Sequence, residues 1–289
     1  PEGRGVIGQR ALRVLAAAIA CGAMPAVPAK VYAQDLPRVV SMNLCTDQMV
    51  LLLADPEQIV SLSRLARDPR SSSLAQEAEA YPQNAGGAEE IYLSDPDLVL
   101  AGRYSDKATL AMLRHLGLQV AQMPLTKKLD DIPAQIRQMG NLLRQPSRAD
   151  TMARQVEQTL AAQPALTPDA PVAAFYYPNG YSLGVDTLGH DIVTTGGLRN
   201  LSQKLGRQNS GRLALEELVM NAPDLLVTTQ PYRGGSRSEE IMLHPALAQY
   251  AQTDRMVYSS PDWVCGTPLA LRAVQDVRRA RNNIRHEEK

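Results

Sequence analysis

Histidine, cysteine, the larger aromatics and net charge are all scarce in this chain. Its 289 residues include four His, three Cys, one Trp and one Phe, and the formal net charge is +0. Without a surplus of basic residues there is no electrostatic footprint for nucleic acid. His115, His190, His244 and His286 include no pair at metal-ligand spacing, so a bare ion in a histidine cage is not expected. His190-Asp191 could be an orienting pair, but it reads better as the exposed start of a helix. No G-x-G-x-x-G follows a strand, and neither a P-loop nor H-E-x-x-H occurs, which removes common nucleotide and metallopeptidase signatures. No enzyme activity, metal or intrinsic cofactor is expected. Beyond the first 33 residues no apolar run is long enough to span a bilayer. What remains is ordinary for a globular protein, 44% hydrophobic and 21% charged, with length enough for two domains.

The first 33 residues stand apart. Arg4, Arg10 and Arg13 precede the short apolar run from Val14 to Met24, and Val31-Tyr32-Ala33 puts small residues where signal peptidase cuts. An export signal cleaved after Ala33 is expected, with the mature protein in the periplasm. Lipidation at Cys21 ranks below simple cleavage, because Ala18 stands where a lipobox prefers leucine. Losing four basic residues and one acidic residue leaves 26 basic and 29 acidic, a mildly acidic body. Cys45 and Cys265 then remain, in a compartment where disulfides persist. A disulfide, two separate buried thiols and two soft metal ligands all fit that pair.

One stretch occurs twice. Glu89-Glu90-Ile91-Tyr92-Leu93-Ser94-Asp95-Pro96-Asp97-Leu98-Val99-Leu100 returns as Glu216-Glu217-Leu218-Val219-Met220-Asn221-Ala222-Pro223-Asp224-Leu225-Leu226-Val227, identical at five of twelve positions. Each copy reads as a short helix, a Pro-Asp turn that stops it, and a strand covered on both faces. Two similar α/β lobes follow, with whatever they hold lying between them.

The order of elements supports that division. Arg38–Met42 and Gln58–Leu62 read as strands flanking a helix over Gln48–Ala54, capped by Thr46 or Asp47. From Asp130 to Gln163 the apolar spacing is helical, in two helices in series, and the longer one can act as a strut between lobes. The second lobe restarts at Val172–Tyr177. Expected boundaries are a signal peptide over 1–33, a first lobe over 34–144, a linking helix over 145–165 and a second lobe over 166–289. Open α/β sheets bind ligands in loops after their strands. In the first lobe those loops carry Asn43, Cys45, Thr46 and Asp47, then Arg64 with Arg67, then Arg103 and Tyr104. In the second they carry Tyr176 and Tyr177, Asn179 to Tyr181, Arg199 and Asn200, Tyr232 and Arg233, and Trp263. Any one of these reads as a surface residue; together, aromatics and arginines suit a flat or anionic organic ligand.

In their order and spacing these features resemble the periplasmic substrate-binding proteins of the vitamin B12 and iron-siderophore ABC importers. The features are the leader, Arg-Val-Val-Ser-Met, the glycine pair before Glu-Glu-Ile, Pro-Asp-Leu-Val, the mid-chain helix, Gly-Gly-Leu-Arg-Asn and the second Pro-Asp-Leu-Leu. The likeness covers about residues 36–284. It implies two Rossmann-like lobes with mainly parallel sheets, joined by one long rigid helix, with a metal chelate such as a ferric siderophore or corrinoid in the cleft between them. It also implies a monomer that docks on an ABC permease dimer through Glu89 on one lobe and Glu216 on the other. The chain departs from better-known members at Cys45 and at Trp263-Val264-Cys265-Gly266, and Cys45 and Cys265 are expected within disulfide reach. The alternative is an exported metal-handling protein or enzyme that uses both cysteines as thiolates.

Overall fold

Each copy of the repeated stretch ends in the same backbone device. In the computed structural model, which describes residues 36–231, 234 and 236–287, Asp95 and Ala222 occupy matching positions in the left-handed region, at φ 51° and 40°. Proline follows each, so neither helix can continue. The next residue, aspartate, then turns back on the sheet. Asp97 Oδ2 accepts from the Arg38 backbone N–H at 2.8 Å, and Asp224 Oδ2 accepts from that of Val172 at 2.7 Å. Return bonds run from Asp97 N to Arg38 O at 2.9 Å and from Asp224 N to Val172 O at 2.8 Å. Pro-Asp is therefore a clamp, used once per sheet, that ties an incoming strand to the first strand of its own half.

The first half runs β1 (Val39–Ser41), α1 (Leu44–Leu53), β2 (Ile59–Ser63), β3 (Gln83–Asn84), α2 (Ala88–Leu93), β4 (Leu98–Ala101), α3 (Lys107–His115), β5 (Gln119–Gln122) and α4 (Ile132–Leu142). Helix α5 (Pro146–Ala161) leads to β6 (Val172–Phe175), β7 (Tyr181–Ser182), α6 (Leu188–Thr195), β8 (Arg199–Asn200), α7 (Leu201–Lys204) and β9 (Gly211–Arg212). The chain closes with α8 (Leu215–Asn221), β10 (Leu225–Thr228), α9 (Pro245–Gln252), β11 (Met256–Tyr258) and α10 (Ala270–Glu287). Two parallel sheets result, ordered β3-β2-β1-β4-β5 and β11-β10-β6-β8, with β7 and β9 as a small antiparallel ribbon. Both faces of β4 and β10 are covered, which is why four apolar residues in a row suit each. Strand order reverses between β1 and β4 in one sheet and between β6 and β10 in the other. Those gaps are where a parallel sheet opens a crevice at its carboxyl edge.

The expected parallel α/β architecture is present, and one local expectation changes. Helix α1 begins four residues earlier than the apolar pattern indicates. Asn43, not Thr46 or Asp47, caps it, with its Oδ1 accepting from Cys45 N at 3.0 Å. The two mid-chain helices follow one another as expected, the second of them 16 residues long, and they pack as a hairpin. Helix α5 folds back along α4, held by Arg137, whose Nε reaches Asp150 Oδ1 at 3.1 Å and whose Nη1 reaches Glu157 Oε1 at 2.6 Å. Gly140 allows the close approach, since a Cβ there would meet Ala149 Cβ at 2.1 Å. This hairpin, through Ile136, Met139, Ala153 and Val156, belongs to one apolar core with Val39 and Leu100 of the first sheet and Phe175 and Val227 of the second. The leader expected over 1–33 lies outside the described residues.

A charged acceptor on a strand amide contributes about 1.5–3 kcal/mol. Asp224→Ala is expected to lower the unfolding free energy by about that much in urea titration, and a change within about 0.3 kcal/mol of zero would show the clamp to be idle.

Candidate ligand site at the sheet switch points

A cavity sits at each switch point. The first, about 170 Å3, opens beyond β1 and β4 and is lined there by Asn43, Cys45, Thr46, Gly102, Arg103 and Tyr104. Met123, Pro124, Leu125 and Thr126 add the wall beyond β5, and Val264 and Gly266 close it from the second half. The second, about 430 Å3, lies beyond β6 and β10, against Pro178, Thr229 and Pro231, and is walled by Arg237, Glu240, Met242 and Leu243. Its lining is mainly apolar, which suits an organic ligand with few polar anchors. Tyr104 and Leu243, 79% and 80% exposed, mark the open rims of the two cavities.

The two halves meet at the first cavity. Cys45, on the first turn of α1, is bonded to Cys265 in the loop after β11, with Cα atoms 5.2 Å apart across 220 residues of sequence. Beside it, Gly266 presses on Thr126 so closely that a Cβ would fall 2.2 Å from the threonine side chain. Three more contacts cross between halves. Lys127 pairs with Asp186, Asp191 Oδ2 accepts from Leu129 N at 2.6 Å, and Arg70 Nη2 donates to Gln230 O at 2.9 Å. Burial of the Asp191 carboxyl raises its pKa, and burial of the neighbouring His190 lowers that of the imidazole.

Of the candidate residues, Asn43, Cys45, Thr46, Arg103 and Tyr104 come together at the first cavity. Asp47 turns inward instead. It is fully buried, and its carboxylate accepts from Ser63 N at 3.1 Å and Ser63 Oγ at 2.5 Å, locking the end of β2 to α1. Burial pushes its pKa up to about 6, against the lowering effect of the serine hydrogen bonds. Arg67 is a staple that donates to the carbonyls of Ala78, Glu79 and Tyr81, while Arg64 stays exposed on the same turn. Tyr177 is half-buried against Phe175, with ring centroids 6.1 Å apart and a phenol pushed up to about 12 by desolvation. Tyr181 is exposed on β7. Arg199 is carried to the opposite edge, because it pairs with Val172 at the amino end of β6 and its Nε donates to Ala170 O at 2.7 Å. Trp263 is 8% exposed and packs edge-on to Phe175, in the core behind the cavity wall. Tyr232 and Arg233 lie outside the described residues.

Three other observations bear on chemistry. Both cysteine sulfurs are consumed in the disulfide, which removes them as thiolate ligands. Among the described residues, no group of three or more His, Cys, Asp and Glu could hold a metal ion. Gly180-Tyr181-Ser182-Leu183-Gly184 has the spelling of a nucleophile elbow, but Ser182 is buried on an antiparallel ribbon and not on a strand-to-helix turn. The residues that sequence reasoning missed are Met123 to Thr126 and the Arg237–Leu243 wall, neither of which carries a motif.

Known proteins share this fold. A family profile described as "Periplasmic binding protein" matches residues 39–259. A "Cobalamin-binding protein" of Halobacterium salinarum is 24% identical over 196 residues, covering 66% of this chain and 53% of that protein. A "Vitamin B12-binding protein" of Pectobacterium carotovorum is 26% identical over 124 residues, covering 43% of this chain and 44% of that protein. The chain thus spans about half the length of the curated relatives it matches. Among solved structures, the apo periplasmic heme-binding protein RhuT of Roseiflexus sp. RS-1 superposes with TM-score 0.71 at 22% identity, covering 86% of this chain and 98% of that one. The periplasmic vitamin B12-binding protein BtuF of Vibrio cholerae gives 0.64 at 17% identity, covering 86% and 98%.

Two variants test the site's supports. Asp47 is less acidic folded than unfolded, so its ionised form costs stability above pH 6, and that cost fades as pH falls from 6 to 4. Asp47→Asn should therefore gain on the natural protein by about 3 kcal/mol between pH 4 and pH 8, and a pH-independent difference would refute the assignment. Replacing both Cys45 and Cys265 by serine should cost about 5 kcal/mol, the chain-entropy value for so long a loop. A loss below about 1 kcal/mol would mean that the reduced, unfolded chain keeps enough structure to make the loop constraint ineffective.

Proposed function

The chain belongs to the periplasmic binding protein family, and on that premise we propose that it captures a metal–organic chelate outside the cytoplasm and delivers it to an ABC importer. The observation that carries this reading is the pair of cavities, one at the switch point of each sheet, the first of them lined from both halves. A ligand too large for either cavity alone could lie across both, with Tyr104 and Arg103 on one rim and Leu243 and Arg237 on the other. Tyrosine and arginine suit a conjugated ring with acidic substituents, and the apolar walls suit its faces. A corrinoid is the first choice, given the relatives named for cobalamin; haem and ferric siderophores are the other members of the class.

In this reading the protein is exported with its leader cleaved after Ala33, acts as a monomer, and uses 34–144 and 166–289 as two lobes with 145–165 between them. The Cys45–Cys265 bond holds the lobes together at one edge, so ligand entry involves a small splay and no wide opening. Glu89 and Glu216 are the permease contacts. In each glutamate pair the second member is engaged within the protein: Glu90 Oε2 accepts from Ala85 N at 2.8 Å, and Glu217 Oε2 receives Arg207 Nη2 at 2.6 Å. The first member of each pair is exposed and makes no hydrogen bond or ion pair among the described residues.

Trp263 reports on binding although it is buried, because energy transfer to a corrin or haem does not need contact. Titration of the mature protein with cyanocobalamin, haemin and ferric hydroxamates should give saturable quenching by one class at micromolar concentration or below. Tyr104→Ala should weaken that ligand at least tenfold, about 1.4 kcal/mol. No saturable response to any of the three classes would overturn the reading.

A further inference from the structure

The duplicated stretch carries a second matched feature beside its free glutamates. Ile91 and Leu218, at equivalent positions, are both 1% exposed and anchor their helices in the core. The two residues that follow point outward in each copy. Tyr92 and Val219 are 46% and 47% exposed, and Leu93 and Met220 are 73% and 85% exposed. Large apolar side chains left in water beside a free carboxylate, at the same register of two separate helices, are a costly surface for a soluble protein to keep twice.

We propose that Tyr92 with Leu93 and Val219 with Met220 are the adhesive parts of two matched docking sites, seated in apolar sockets on the two subunits of the permease pair. This rests on the importer reading and adds to it that burial of these side chains supplies most of the affinity, while Glu89 and Glu216 fix orientation. Charge selects the occupant. A free carboxylate at each patch disfavours an anionic lipid surface and a second copy of this chain, which would bring like charge to like, and it suits a protein that offers a basic side chain next to each socket. The duplication adds that the partner presents the same socket twice, as a dimer does.

The test is binding of the mature protein to its permease–ATPase complex in nanodiscs over a salt series, with Leu93→Ser, Met220→Ser, both together, and Glu89→Gln with Glu216→Gln. The serine pair should lose at least tenfold in affinity with its salt dependence unchanged, and the glutamine pair should lose salt dependence. Quenching by the chelate and the urea midpoint should stay as in the natural protein for every variant, since these side chains touch neither cavity nor core. A serine pair within twofold of the natural protein, with the glutamine pair weakened, would overturn the apolar sockets and leave the docking glutamates standing. No binding by the natural protein would overturn the importer reading itself. Sedimentation with phosphatidylcholine–phosphatidylglycerol vesicles lacking the transporter should fail, and success would overturn the choice of a protein partner.

Discussion

A carboxylate hydrogen-bonded to a strand amide sets the frame of both halves. Asp97 and Asp224 each join the amino ends of two strands, β4 to β1 and β10 to β6, and those are the pairs between which strand order reverses. Fixing the pair at one edge fixes the crevice at the other, because parallel strands a few residues long cannot splay independently. The clamp also explains the rest of the repeat. A left-handed residue and a proline must precede the aspartate to turn the helix back to the sheet, and a buried apolar residue must hold the helix while it turns.

The site depends on a second set of constraints at the carboxyl edge. Asn43 caps α1 and packs against Gly102, where any Cβ would fall within 2.7 Å of it. Asp47, one turn on, reaches across to Ser63 and holds the end of β2. Cys45 lies between them and bonds the other half. A single helical turn therefore supplies a cap, a cross-half covalent bond and a buried anion, and with Asn43, Cys45 and Thr46 it forms one wall of the first cavity. Burial raises the Asp47 pKa, and the hydrogen bonds from Ser63 offset part of that cost of ionisation.

Much of the fold was readable because the repeat has a strong signal. Pro-Asp followed by four apolar residues marks β4 and β10 as covered strands, and alternation of helix and strand gives the parallel class. The strands β3, β7, β8 and β9, two residues each, carry no periodicity and were invisible. The start of α1 was misplaced because Asn43, Thr46 and Asp47 can all cap a helix, and only the turn of Asp47 into the core decides between them. The site was partly readable. Asn43, Cys45, Arg103 and Tyr104 follow strands and line a cavity, yet Arg199 and Trp263 have the same composition signal and are held elsewhere, by the Ala170 carbonyl and by Phe175. Residue type indicates what a side chain can do; where it points depends on contacts with residues far along the chain.

The apolar core that unites both sheets and the α4–α5 hairpin has a consequence for how such a molecule diversifies. The likeness between the halves survives at their edges and surfaces, in the clamps, the crevices and the outward-facing helices. In the interior it survives around Ile91 and Leu218, each in a core cluster of its own half, and is lost where Val39, Met139, Val156, Phe175 and Val274 pack in one shared cluster. A half taken from a relative would bring matching ends and a mismatched middle. The molecule is a duplicate in outline but not a pair of interchangeable modules, and change in one half must be answered by repacking in the other.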